Sequence, residues 1–182
     1  MKRILALCLL ALFLLPVFAL AASETKHAYS DPLEPVPAYP KQRLTLRSGP
    51  GTHYTELGTY NEDTDAVFYE QETDGSSTWG LIEFHIRGKG FIRAYTNMYR
   101  IDPETEDIPW GNTITYCATL TSDTVPCRGP GEKYVSCNQT LPAGTELVLY
   151  HEELGYVMAD FYFPDEDLLT RAWIPATNVN YQ

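Results

Sequence analysis

One short pattern occurs twice. Gly49-Pro50-Gly51-x-x-Tyr54 returns 80 residues later as Gly129-Pro130-Gly131-x-x-Tyr134. Other features follow in the same order. Val67-Phe68-Tyr69 matches Leu147-Val148-Leu149-Tyr150, and Phe91-Ile92-Arg93 matches Trp173-Ile174-Pro175 at an offset of 82. Drift of this size is what changes in loop length produce. Two copies are too few for a solenoid, so each must bury a core of its own.

Each copy reads as a string of short strands. Leu44 and Leu46 alternate with Thr45 and Arg47, the pattern of a half-buried strand. Gly-Pro-Gly ends that strand, because Pro50 fixes φ and cannot donate to a ladder. Residues 54–60, 65–70, 79–84 and 90–94 supply further strands, rich in aromatic and β-branched side chains. Asp74-Gly75-Ser76-Ser77 and Arg87-Gly88-Lys89-Gly90 read as hairpin turns. Beyond the N-terminal run, no long window carries a 3.6-residue period. Five or six strands in about 60 residues close into a small barrel, since closure removes exposed edges.

The N-terminus reads as an address. Lys2 and Arg3 precede an apolar run over residues 4–20, then Ala19-Leu20-Ala21 and polar Ser23-Glu24. This is the three-part pattern of a secretory signal peptide. The other reading, an uncleaved anchor, has an apolar run at the lower limit for a span. Cleavage after Ala21 removes two of 13 basic residues and none of 24 acidic ones, taking the net charge from −11 to −13. The expected order is a signal peptide at 1–21, a Pro-rich tether at 22–40, a first domain at 41–102, a linker at 103–111 and a second domain at 112–182. Pro32, Pro35, Pro37 and Pro40 favour an extended tether, with an edge segment lying along the first domain as the alternative. The acidity argues against nucleic acid, whose binding rests on basic side chains. After cleavage, nothing in the chain calls for a membrane.

The stretch Leu44-Thr45-Leu46-Arg47-Ser48-Gly49-Pro50-Gly51-Thr52-x-Tyr54 resembles the opening of bacterial SH3-like domains, and so does Trp79-Gly80-Leu81-Ile82. Gly90-Phe91-Ile92 is similar to that family's Gly-Trp-(Ile/Val) strand, and residues 97–101 to its closing turn and strand. The second copy lacks the Ser of Arg-Ser-Gly-Pro-Gly and has Tyr156 roughly where Trp79 stands. The resemblance covers residues 43–102 and about 113–181. It implies an all-β chain: two small SH3-like barrels in tandem after a cleaved signal peptide. Such modules anchor wall hydrolases, bind peptides or serve as packing domains. The resemblance places a ligand groove beside each Gly-Pro-Gly loop, with Tyr54 and Trp79 in the first copy and Tyr134 and Tyr156 in the second. Aromatic faces with polar tips suit extended peptides or sugars. The competing reading puts these aromatics in the core, as expected for Phe91 and Trp173.

Cys117, Cys127 and Cys137 all lie in the second copy. If Arg128 plays the part of Arg47, Cys127 takes the inward place of Leu46 and Cys137 that of Leu57. A Cys127–Cys137 disulfide is then expected, with Cys117–Cys137 or three buried thiols as alternatives. No His-x-x-x-His or Cys-x-x-Cys spacing suggests a metal site, and no motif suggests a cofactor. Asn61, Asp63, Asp65 and Glu72 fit four positions of a calcium loop, but Ala66 stands where glycine is needed. Cys117 or Cys127 with His151 is the sole nucleophile–base combination to weigh, and no local signature supports it. The expectation is an exported, non-catalytic binding module, secreted or held in the periplasm or cell envelope. Its partner would be cell-wall peptide or glycan, or an envelope protein. The alternatives are a structural partner of an exported enzyme, or a small wall hydrolase.

Overall fold

Alternating burial organises the chain into strands, as the repeat implies. The computed structural model describes residues 33–61, 65–111 and 114–182. The signal segment and residues 22–32 of the tether lie outside the described residues. The first half builds β1 (Val36–Pro40), β2 (Leu44–Arg47), β3 (Glu56–Tyr60), β4 (Ala66–Thr73), β5 (Thr78–Ile86), β6 (Gly90–Asn97) and β7 (Ile101–Pro103). The second builds β8 (Tyr116–Leu120), β9 (Glu146–Glu153), β10 (Tyr156–Phe161), β11 (Thr170–Pro175) and β12 (Val179–Tyr181). The first sheet runs β3-β2-β6-β5-β4-β1-β7, and the second β11-β10-β9-β8-β12, with every ladder antiparallel. The chain is all-β in two sheets. Barrel closure is not part of the strand pairing: among the described residues no ladder joins β3 to β7 or β11 to β12.

Each sheet has its own core. Leu44, Leu46, Phe68, Ile82, Ile92 and Ile101 cluster in the first module. Leu120, Leu141, Leu147, Leu149, Val157 and Ile174 cluster in the second. Burying either set removes apolar surface from water at roughly 25 cal/mol per Å², the main drive for two separate cores.

The strand registers correct the repeat boundaries. β1 pairs Val36 with Phe68 and Ala38 with Pro103; β8 pairs Tyr116 with Leu149 and Ala118 with Tyr181. β1 is thus the counterpart of β8, and the first module opens at Val36, inside the segment expected to be tether. Its prolines disguised it. Pro37 and Pro40 lack N–H groups, yet the Pro37 carbonyl still accepts from the Glu104 N–H at 2.8 Å. The registers also shift the later matches. Arg47 lies opposite Glu56 and Tyr95, whereas Cys127 bridges Ser136 and Trp173. Cys127 therefore answers Arg47, and Trp173 answers Tyr95 rather than Phe91.

That register undoes the expected disulfide. Cys127 faces Ser136 directly, so Cys137, one residue further on, points to the opposite face. Cys137 packs against the second core as expected. Cys117, Cys127 and Cys137 are all free thiols.

The repeated motif has a packing reason. A Cβ placed on Gly49 would lie 2.3 Å from the Tyr54 ring, and one on Gly129 would lie 2.0 Å from the Tyr134 ring. Each tyrosine folds back flat over its own glycine. Gly129→Ala should therefore expel the Tyr134 ring and cost about 1–3 kcal/mol, the usual penalty for overpacking. Thermal unfolding monitored by circular dichroism would check this, and a melting temperature equal to wild type would contradict it.

Candidate functional site

The two tyrosines assigned to grooves are in fact the anchors of a seam between the modules. Tyr54 forms a parallel bridge with Leu169, and Tyr134 forms one with Phe91. Thr55 N–H donates to the Leu169 carbonyl at 2.9 Å, and Phe91 N–H to the Lys133 carbonyl at 3.0 Å. Each module thus offers its Gly-Pro-Gly-x-x-Tyr segment to the strand entering the other's Arg-Ala-aromatic triplet. Tyr54 is 4% exposed and Tyr134 5%.

Two related ion networks fill this seam. In one, Arg171 on β11 donates from Nε to Asp160 Oδ1 at 2.7 Å and from a terminal nitrogen to Glu72 Oε1 at 2.7 Å. Tyr54 and Tyr150 hydroxyls donate to Asp160, and Tyr95 donates to Glu72. In the other, Arg93 on β6 donates from Nε to Glu83 at 2.9 Å and from a terminal nitrogen to Glu153 Oε2 at 2.7 Å. Tyr69 and Tyr134 hydroxyls donate to Glu83. The Arg171 guanidinium lies 3.8 Å from the Tyr150 ring centroid, and that of Arg93 4.1 Å from the Tyr69 ring. Glu83 pairs with Arg93 across β5 and β6 as Asp160 pairs with Arg171 across β10 and β11.

The seam sets the protonation of its members. Burial pushes the Tyr54 and Tyr134 hydroxyls well above the usual phenol range. Burial acts to raise Glu153, but the neighbouring His151 and the hydrogen-bonded Arg93 outweigh it and pull the carboxyl down to about 2. Glu70, between these networks, has no such bonds. Burial, reinforced by the Glu72 charge, raises it to about 7 against the pull of Arg171 and Arg93. Arg93 and Arg171 each join carboxylates of both modules, so the two networks tie the seam together.

Trp79 occupies a different place. It lines an open groove of about 270 Å³ beside the Gly-Pro-Gly loop, with Arg47, Thr52, Asp74, Tyr99 and Arg100. The indole is itself buried, at 6% exposed, and its N–H donates to Asp74 Oδ2 at 2.9 Å. The β4–β5 turn holds Asp74: Ser76 and Ser77 N–H groups and the Ser76 hydroxyl donate to Oδ1. Those bonds, led by the one from the Ser76 backbone, hold the carboxyl well below the usual range. Tyr99 is 58% exposed, with the Arg100 guanidinium 4.9 Å from its ring centroid. Arg47 donates to the Thr52 and Tyr54 carbonyls and to Glu56. Tyr156 stands half-buried at the start of β10, opposite Glu153 and Pro175, and does not line the Trp79 groove.

Trp79 thus lines a groove beside the Gly-Pro-Gly loop together with Arg47, Asp74, Tyr99 and Arg100, which the sequence did not single out as groove residues. The sequence reading also missed Arg93 and Arg171. Their signal was present: Arg93-Ala94-Tyr95 and Arg171-Ala172-Trp173 repeat a charged residue within otherwise apolar strands. Of the calcium pattern, Asp63 lies outside the described residues, and Glu72 is engaged by Arg171 and Tyr95. Burial raises the Cys127 thiol, and raises that of Cys137 to about 11.

No protein-family model matches the chain, and no curated protein does. Two solved structures show weak similarity, NlpC1 and NlpC2 from Trichomonas vaginalis, at 8% and 9% identity with TM-scores of 0.34 and 0.33. The matches cover 85% and 84% of this chain but 49% and 50% of those proteins, so the chain spans about half their length.

Proposed function

We propose that the chain is an exported, non-catalytic binding protein made of two SH3-like modules, docking onto cell-wall peptide or glycan. The observation that carries this reading is the open polar groove of the first module. Tyr99 offers an exposed ring, Arg100 has one hydrogen bond, to the Arg43 carbonyl, and the Asp74 turn fixes the wall opposite. An open groove with hydrogen-bonding rims suits an extended chain. The raised Cys127 and Cys137 thiols support a non-catalytic role for those two residues, because a nucleophilic cysteine requires a lowered pKa.

Co-sedimentation with purified cell walls tests this. The wild-type chain should pellet with the walls, while Tyr99→Ala and Arg100→Ala should each reduce retention about tenfold without changing the melting temperature. Those positions separate binding from folding, which the buried Trp79 and Tyr54 would not. Retention of both variants at the wild-type level, or no pelleting of wild type, counts against the proposal.

A second cleft favours the alternative of an exported protein partner. It measures about 450 Å³ and is lined by Cys117, Val148, Tyr150, Phe161, Tyr162 and Leu169. Val148 and Tyr162 are exposed there. Capture of one stoichiometric exported protein, without wall retention, would favour this role.

A further inference from the structure

We infer that ligand recognition is confined to the first module, whose groove takes a carboxylate-bearing chain, and that each protein holds one such ligand. This rests on the binding role proposed above and narrows it to one site and one chemistry.

The strand registers identify what stands at each groove position in the second module. Arg47 is answered by Cys127, as the Tyr95 and Trp173 pairings require. Trp79 lies between Glu72 and Asn97, and Tyr156 lies between Glu153 and Pro175, so Tyr156 answers Trp79. The one-turn 3-10 helix Met98–Arg100 corresponds to Ala176–Asn178, which puts Thr177 for Tyr99 and Asn178 for Arg100. Asp74 has no counterpart. Thr73 pairs with Thr78 around a four-residue turn, whereas Glu153 pairs with Tyr156 around Leu154-Gly155 alone. The second module has thus lost both guanidinium groups, the exposed ring and the acidic turn that forms the wall. It keeps the seam residues Tyr134, Tyr150, Asp160 and Arg171. Its preserved part faces the other module, and its changed part faces solvent.

The chemistry of the surviving groove follows from its donors. Arg47 and Arg100 both line it, but Arg47 is engaged by Glu56 and by the Thr52 and Tyr54 carbonyls, so Arg100 supplies the cation open to a ligand. A guanidinium carries five donors, and Arg100 spends one of them, on the Arg43 carbonyl at 2.6 Å. The Asp74 carboxylate is occupied by Ser76, Ser77 and Trp79, so it is not free to pair with a ligand cation. A planar guanidinium fork matches a carboxylate.

The test is titration of the ¹⁵N-labelled full chain with the synthetic peptide Ala-Glu-Lys-Ala. Its carboxylate-free form, Ala-Gln-Lys-Ala amide, serves as comparison. The expected result is one saturating set of shifts around Thr52, Ser76, Tyr99 and Arg100, at one peptide per chain. The carboxylate-free peptide should bind at least tenfold more weakly, as should the carboxylate-bearing peptide to Arg100→Ala or Tyr99→Ala; Asn178→Ala should bind as wild type does. Equal shifts around Glu132, Tyr156 and Asn178, with two peptides per chain, would overturn the single site and leave wall binding intact. Equal affinity for both peptides would overturn the carboxylate assignment. Absence of shifts while the chain still pellets with walls would overturn this inference alone. Absence of both shifts and pelleting would overturn it together with the binding role.

Discussion

Arg171→Ala should lower the free energy of unfolding by about 3–5 kcal/mol, the cost of removing one partner from a buried ion pair. The side chain is buried and donates to Asp160, Glu72, Tyr95 and Tyr54 at 2.7–3.2 Å. Its removal strands the Asp160 carboxylate in a site with few other cations. It also frees Glu72, so the loss crosses the seam and is felt in both modules. Lysine is a poor substitute, because one ammonium cannot reproduce the fork that spans the two carboxylates. Urea unfolding followed by tryptophan fluorescence measures the effect. A loss under about 1 kcal/mol would mean that the seam is solvated and that the modules hold independently of it.

Stability should fall as the pH rises from about 4.5 to about 7, through Glu70. This carboxyl is 5% exposed and titrates near 7 in the fold against 4.5 as its ordinary value. In that window the folded chain binds a proton that the unfolded chain has released, so raising the pH favours unfolding. The contribution is fully present below 4.5 and is lost as the pH passes 7, for a total of about 3 kcal/mol. Glu153 acts in another window and with the opposite sign. Held at about 2, it adds stability above 4.5 that disappears on acidification toward 2. Glu83, also held below its ordinary value, acts in the same sense. Glu70→Gln should remove the slope between 4.5 and 7 and make the protein more stable than wild type at pH 8. Urea midpoints of both proteins at pH 5 and pH 8 decide it. A difference between the two proteins that stays constant with pH would refute the assignment.

Local patterns were readable where local physics decides them. The alternation of Leu44 and Leu46, the Gly-Pro-Gly stop and the two hairpin turns each appear in the fold where the residues suggested. Val36–Pro40 was hidden because its prolines mimic a spacer, although pairing on both sides with β4 and β7 makes it a strand. Cys127 was misaligned by one residue, since Arg128 offered a tempting match to Arg47, and a one-residue slip inverts the facing of a side chain. The seam was out of reach for a different reason. Tyr54 and Asp160 meet across 106 residues of chain, and nothing near either one indicates the other. Tyr54 and Tyr134 looked like ligand aromatics because a seam and a groove ask for the same thing, a flat apolar ring ending in a hydroxyl.

The way each half presents its own tyrosine motif to the other's arginine strand is the geometry of an isologous homodimer written into a single polypeptide. Covalent joining keeps such partners at an effective concentration on the order of millimolar. Partnership then no longer demands identical halves. One half is free to specialise while the other keeps the contact surface, as Cys127 in the place of Arg47 and Asn178 in the place of Arg100 record.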